Sequence, residues 1–116
     1  MLNREQILGA EDLRRIEVAV PEWGDGATVW IQTMTSAARD ALQSSFVNGK
    51  EVAMTNWRAR LVVCCLVDAN GRRLFDDADA DAFGAKNAEV ILRLFEAAQK
   101  LNGASVESVE DARKNS

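Results

Sequence analysis

The chain has 116 residues and a net charge of −4, and it contains no histidine and no tyrosine. This length predicts one domain, residues 1–116, that is large enough to bury a hydrophobic core. The missing histidine excludes Ser-His and Cys-His nucleophile pairs and the commonest zinc ligand, so we expect a binding protein with no catalytic, cofactor or metal site. The negative charge disfavours nucleic acid and anionic membranes as partners.

The first 14 residues predict a short helix and no targeting segment. No apolar run in the sequence approaches the roughly 20 residues needed to span a bilayer, and Glu5 falls where the apolar core of a signal peptide would begin. We therefore expect the chain to remain in the cytoplasm. Asn3 and Gln6 have the spacing of a capping box, which predicts a helix over residues 3–8 with Gly9 just beyond its end.

Residues 15–34 predict a β-hairpin. Apolar and polar side chains alternate on both sides of Pro21, with the period of half-buried strands. Pro21 ends the first strand, and the glycine-rich segment after it supplies the turn. Trp30 and Met34 fall on the face opposite Ile31. We expect a helix of the same chain to cover Trp30, and cover by a neighbouring protein is the alternative.

Residues 35–104 predict a helical core, and its first helix follows the hairpin directly. Thr33 or Thr35 can cap this helix, and Asn48-Gly49 is predicted to end it. The spacing of the apolar residues indicates one face that packs on the core. This face consists of Ala38, Ala41, Leu42 and Phe46.

The next segment fits two structures. Residues 52–65 predict a helix that is buried nearly all round, but residues 61–67 are also rich in strand-forming side chains. Hydrophobic period does not separate the two possibilities in so short a run. An Asn70-Gly71 turn and a short strand ending at Phe75 are predicted next, so residues 68–75 form a turn and strand in this interpretation.

Two candidate chemical sites lie in this core, and we favour a structural interpretation of each. Cys64 and Cys65 are adjacent in an apolar run, which predicts buried small side chains rather than a redox pair. The acidic run within residues 76–84 has the first three spacings of an EF-hand loop but lacks its glycine and its final glutamate. A short helix capped by Asp76 or Asp77 is favoured over a calcium site.

A long amphipathic helix over residues 87–101 is the most clearly predicted element. Glu89 and Arg93 form an i,i+4 pair in the favourable order. Leu92 widens the apolar face and indicates a second partner surface. A short acidic helix and a frayed tail are predicted for residues 105–116. The main apolar stripe consists of Val90, Ile91, Leu94, Phe95, Ala98 and Leu101.

These elements together predict an α+β fold that is mainly α-helical, with an N-terminal β-hairpin packed on about four helices. No internal repeat, linker or low-complexity tract divides the sequence. The hairpin therefore contributes a small sheet, and the helices contribute most of the core.

Several of these landmarks occur together and in a fixed order. They lie at residues 18–24 (Val-Ala-Val-Pro-Glu-Trp-Gly), 29–31, 37–40, 58–62 and 66–75, followed by a late helix and a terminal Lys-Asn-Ser. Over residues 12–116 the sequence resembles the tail assembly chaperones of long-tailed bacteriophages with flexible, non-contractile tails. The combination of the hairpin motif with the turn between Asp68 and Phe75 is the more specific part of this resemblance.

The resemblance implies a non-enzymatic factor in tail morphogenesis. Such proteins bind the tape-measure protein, keep its long helical chain soluble and recruit tail-tube subunits around it. They act in the host cytoplasm, are absent from the mature virion and tend to self-associate. The expected partners are therefore the tape-measure protein, the major tail-tube protein and further copies of the chain. An oligomeric structural or adaptor protein of the phage, such as a tail-completion component, is the alternative.

The resemblance brings no catalytic motif, so candidate contact residues come from the sequence itself. We expect Trp23, Trp30, Met34 and Leu92 to contact partners or further copies, with core packing as the alternative for each. The resemblance also implies a longer form made by ribosomal frameshifting. Residues 113–115 can be encoded by codons that contain the slippery heptamer A-AAA-AAC, and gene codons that break this heptamer would remove the frameshift from this position.

Overall fold

A computed structural model of the chain describes residues 1–48, 51–52 and 55–103. The architecture is α+β and mainly helical, as predicted. The predicted acidic helix at residues 105–116 lies outside the described residues. In chain order the elements are α1 (Arg4–Gly9), β1 (Arg15–Ala19), a 3₁₀ turn (Pro21–Trp23), β2 (Thr28–Gln32), α2 (Ser36–Ser45), β3 (Val47–Asn48), β4 (Glu51–Val52), α3 (Trp57–Cys65), β5 (Leu66–Val67), a second 3₁₀ turn (Asp77–Asp79), α4 (Ala80–Gly84) and α5 (Ala88–Leu101).

The predicted hairpin is confirmed, and the structure adds a third strand to it. β1 and β2 pair antiparallel with Val18 opposite Val29. β5 pairs antiparallel with the other side of β2, so the strand order is β1-β2-β5. The sheet therefore joins the start of the chain to its middle, since Ile31 lies opposite Leu66.

The ambiguous segment at residues 61–67 contains both of the structures that its sequence fits. The helix α3 continues to Cys65, and the next two residues form β5. The predicted strand ending at Phe75 is wrong in its extent, because it is reduced to one isolated bridge between Arg73 and Val67. The turn between Val67 and Arg73 is held by the Asp68 carboxylate. This carboxylate accepts hydrogen bonds from the backbone N–H groups of residues 70 and 72, at 2.8 and 3.0 Å.

Two predicted helix boundaries differ from the structure. The helix after the hairpin is capped by the hydroxyl of Thr35, which is one of the two residues predicted for this role. It ends at Ser45, however, and not at Asn48-Gly49 as predicted. The next helix begins at Trp57 rather than at Val52. Both differences have one cause, because β3 and β4 pair with each other and take residues 47–48 and 51–52 out of the helices.

The predicted capping box of the first helix agrees with the structure, and the structure adds a cap to the long helix α5. Asn3 and Gln6 form the capping box of α1, although the helix includes Gly9. Asn87 caps α5 through its side chain, which accepts the N–H groups of Glu89 and Val90. Among the described residues, no helix is both long enough and apolar enough to cross a bilayer.

The hydrophobic core lies between α5, α3 and one face of the sheet. The inward face of α5 is buried along its length, and α3 and the sheet contribute the opposing side chains. Trp57 packs edge-to-face on Phe95, with ring centroids 4.7 Å apart. Among the residues whose burial the structure describes, the largest fully buried side chains are Ile31, Leu66, Leu94, Val20, Val62, Val63, Val90 and Cys65.

Asn102, just beyond α5, joins three parts of the chain. Its side-chain oxygen accepts the N–H of Met34 at 2.9 Å, and its amide nitrogen donates to the Ala98 carbonyl at 2.7 Å. Arg14 and Arg39 donate to the carbonyls of Leu101 and of Asn102 itself. These cations lie where the negative end of the helix dipole favours them.

We predict that Asn102→Ala lowers the free energy of unfolding by about 1–3 kcal/mol, because the part-buried Met34 N–H loses its acceptor. Urea unfolding followed by circular dichroism measures the change. The matched control is Asn70→Ala, at an exposed turn position, for which we expect a change within about 0.5 kcal/mol. Equal stability of both variants would show that this junction does not stabilise the fold.

Candidate partner-binding surfaces

The turn that carries Trp23 is fixed to α5 by an ion pair. Glu22 and Arg93 form two hydrogen bonds, Nη1 to Oε1 at 2.9 Å and Nη2 to Oε2 at 2.6 Å. Arg93 also donates to the Ala19 carbonyl at 3.4 Å. The bonds from Arg93 lower the pKa of the Glu22 carboxyl from 4.5 to about 2 and raise the pKa of the guanidinium. The two-point contact sets the orientation of the turn.

Trp23 is held by an aromatic row and remains partly open. Its ring packs edge-to-face on Phe83, with centroids 6.1 Å apart, and Phe83 packs on Phe75 at 5.6 Å. Phe83 is buried, whereas 39% of Trp23 is exposed. The row anchors one part of the indole and leaves the rest accessible to a partner.

Leu92 is also exposed, and Trp30 and Met34 are not. Leu92 is 42% exposed on α5, although its neighbour Ile91 is buried. Met34 is half-buried and packs against the hydrophobic core. Trp30 is half-buried on the opposite face of the sheet from Ile31. Of the four candidate contact residues, the structure therefore leaves Trp23 and Leu92 exposed and Trp30 and Met34 half-buried.

Trp30 contacts a cation in the part of the chain that the structure describes. The Arg15 guanidinium lies 4.8 Å from the centre of the indole ring, in a cation–π contact. Arg15 also donates to the Ala69 carbonyl at 2.7 Å, which holds it across the sheet. Trp30 is not among the side chains packed on the hydrophobic core. Within the described residues, a cation of the neighbouring strand therefore contacts the indole of Trp30, and cover by a helix of the same chain stays a prediction.

A groove between α2 and α3, here called the α2–α3 groove, was not predicted from the sequence. It encloses a cavity of about 260 Å³. α2 buries only Leu42, so its small residues Ala38 and Ala41 form a wall rather than part of the core. The groove is lined by Ala38, Ala41, Leu42, Ser45, Arg60, Val63, Cys64, Arg73, Asp77 and Ala80.

Two arginines give the α2–α3 groove a polar rim. Arg73 donates to the Val63 carbonyl at 3.1 Å and pairs with Asp77 at 3.0 Å. Arg60 lies 4.2 Å from the Phe46 ring centre, and it donates to the Ser45 hydroxyl. Both guanidinium groups are thus fixed in place beside an apolar floor. The groove could have been suspected only from the run of alanines in α2.

Of the two cysteines that were predicted to be buried, Cys65 is buried and Cys64 is half-buried. Burial raises the pKa of the Cys64 thiol, and burial raises that of Cys65 to about 12. Both are therefore protonated at neutral pH and weakly nucleophilic. Asp76 caps the turn at Asp77–Asp79 and shares a capping box with Asp79. This cap agrees with the helix-cap interpretation of the acidic run.

Comparison with known proteins identifies related sequences and a related fold. The chain matches the family described as phage tail assembly chaperone over residues 4–115. Among solved structures, the tail assembly chaperone of bacteriophage HK97 is similar, with a TM-score of 0.62 over 84% of this chain and 94% of that one. The two sequences are 24% identical, so this likeness shows a shared fold. No curated protein matches the chain significantly.

We predict that acid destabilises the unmodified chain more than the Glu22→Gln variant. The folded-state pKa of Glu22 is below its ordinary value, so the ion pair stabilises the fold above pH 4.5 and this contribution is lost as the pH falls toward about 2. Melting temperatures measured between pH 7 and pH 2 test this. Glu96→Gln makes the same change of charge on α5, and parallel pH profiles for the unmodified chain and both variants would contradict the prediction.

Proposed function

This chain belongs to the phage tail assembly chaperone family, and on that premise we propose that it binds the tape-measure protein and recruits tail-tube subunits during tail assembly. The family match over residues 4–115 is the observation that carries the proposal. In this proposal the protein acts in the host cytoplasm, self-associates and is absent from the mature virion. It acts by binding and catalyses no reaction.

The α2–α3 groove is the surface that we assign to the tape-measure protein. A long helical protein exposes apolar side chains before assembly, and these need cover by a partner with a matching concave surface. The groove offers an apolar floor, with Leu42 and Val63, beneath the small wall residues Ala38 and Ala41. Such a shape accepts large side chains that project from a partner helix.

The rim and the net charge support the same assignment. Arg60 and Arg73 are fixed at the rim by their own contacts, so they can order the polar side chains of a bound helix at little cost in entropy. The chain carries a net charge of −4, which favours solubility of a complex whose partner is apolar. The protonated thiol of Cys64 adds apolar surface to the groove.

We expect Ala41→Trp to weaken binding of the tape-measure protein at least tenfold in a pull-down with purified, co-expressed proteins, because the indole fills the α2–α3 groove. Ala37→Trp is the matched control, since Ala37 is an exposed alanine of the same helix that does not line the groove. Circular dichroism of both variants checks that they are folded.

The possible outcomes distinguish a wrong assignment of the groove from a wrong assignment of the chaperone function. If both tryptophan variants bind the tape-measure protein as the unmodified chain does, the assignment of the groove is wrong. If the unmodified chain binds neither the tape-measure protein nor the tail-tube protein, the chaperone function itself is wrong. An oligomeric adaptor or tail-completion protein would then be the better description.

A further inference from the structure

The chain leaves α5 beside the α2–α3 groove. Asn102, the residue after α5, contacts both helices that form the groove. Its carbonyl accepts a hydrogen bond from the Arg39 guanidinium on α2 at 3.0 Å, and its amide nitrogen lies 3.7 Å from the Cys65 Sγ at the end of α3. The residue before Arg39, Ala38, lines the groove, and so does the residue before Cys65. The chain beyond Asn102 therefore starts next to the groove.

Gly103 turns the chain away from the line of α5. Its φ of +74° is the left-handed conformation in which many helices end, and glycine adopts it without strain. Its N–H donates to the Lys100 carbonyl at 3.3 Å, which closes the last turn of the helix. The next residues are thus released from the helix direction beside the groove.

The sequence of residues 104–111 places apolar and acidic side chains at helical spacing. Val106 and Val109 are three residues apart, and each is followed directly by a glutamate, Glu107 or Glu110. In the helix predicted for this part of the sequence, the two valines share one face and the two carboxylates lie along its flank. The segment is therefore amphipathic, with an acidic border.

The rim of the groove carries the opposite charge at a similar spacing. Within the described residues, the charged side chains that line the groove are those of Arg60, Arg73 and Asp77. Arg73 donates through Nε and Nη2 to the Val63 carbonyl and to Asp77, so in this part of the chain its Nη1 hydrogens remain for a further carboxylate. Arg60 lies on α3 about one turn before Val63, and carboxylates three residues apart on a helix have nearly the same separation.

We propose that residues 104–111 cover the α2–α3 groove in the free chain, with both valines on its apolar floor and both glutamates at the two rim arginines. As a helix, this segment spans about 12 Å, close to the length of about 15 Å of the ten-residue α2. Its tether beside the groove gives it a high effective concentration there.

This cover protects an apolar groove that would otherwise face water in the free protein. Ion pairs at an exposed rim contribute little free energy, so a tape-measure helix can displace the segment. The displacement rests on the proposed function, whereas the cover itself does not.

A disulfide to the native thiol in the groove tests the cover. Cys64 lines the groove and is half-buried. Val106→Cys places a thiol on the face that meets the floor, so we expect mild oxidation of the full chain to link it to Cys64 within one molecule, as detected by peptide mass spectrometry. Ser108→Cys is the matched control, because it is nearly as far along the chain but on the opposite face of the predicted helix. We expect its yield to be at least fivefold lower.

The acidic border is tested by the rate at which a thiol reagent labels Cys64 in the full chain. Glu107→Gln combined with Glu110→Gln is expected to speed labelling at least threefold, because the segment loses its attraction to the rim and uncovers the groove. Glu5→Gln combined with Glu11→Gln removes the same charge from exposed positions at the start of the chain, and we expect an unchanged rate.

Three results would overturn the cover. The first is an equal disulfide yield, or no disulfide, for both cysteine variants, and the second is an unchanged labelling rate after loss of the two glutamates. The third is a disulfide between two molecules in place of one within a chain, since a second copy would then occupy the groove. None of these measurements uses the tape-measure protein, so failure of the proposed function is recognised separately, through the groove variants.

Discussion

The fold depends on the burial of α5 on two sides at once. Its apolar face is wide, and neither α3 nor the small sheet could cover it alone. Fully burying one large apolar side chain is worth about 1.5–3 kcal/mol, so loss of either cover would remove several such contributions. The first and middle parts of the chain must therefore meet on this late helix. The side chains involved on α5 are Val90, Ile91, Leu94, Phe95 and Ala98.

Polar contacts fix the two ends of this arrangement and decide which surfaces stay open. Near the start of α5, Arg93 holds the turn at Glu22, so that Trp23 leans on the aromatic row with part of its ring exposed. At the other end, Asn102 and Arg39 tie α2 to the end of α5. α2 is thus held near its start by Arg39, by the buried side chain of Leu42, and at its end by the hydrogen bond from Arg60 to Ser45, and the α2–α3 groove lies between these contacts. A chaperone needs such surfaces, because it must cover another protein and later release it.

Sequence patterns correctly predicted the elements that depend on interactions between residues close together in the chain. The hairpin, the cap at Asn3 and the stripe of α5 all follow from residues a few positions apart. β5 is only two residues long, and the strand-forming side chains of residues 61–67 left helix and strand open, so only the pairing with β2 decides where α3 ends and β5 begins. The contacts of individual side chains were harder still to predict from the sequence. The local pattern pairs Arg93 with Glu89, whereas Arg93 bonds to Glu22, 71 positions away.

We propose that this chain covers apolar helical surface of a tape-measure protein with its α2–α3 groove. Hydrogen–deuterium exchange of the chain, alone and with stoichiometric tape-measure protein, tests it most directly. We expect slower exchange in residues 36–45 of the complex, because a bound helix would hold α2 against α3 and reduce its local opening. Unchanged exchange in α2, with the tape-measure protein bound and other segments protected, would contradict it.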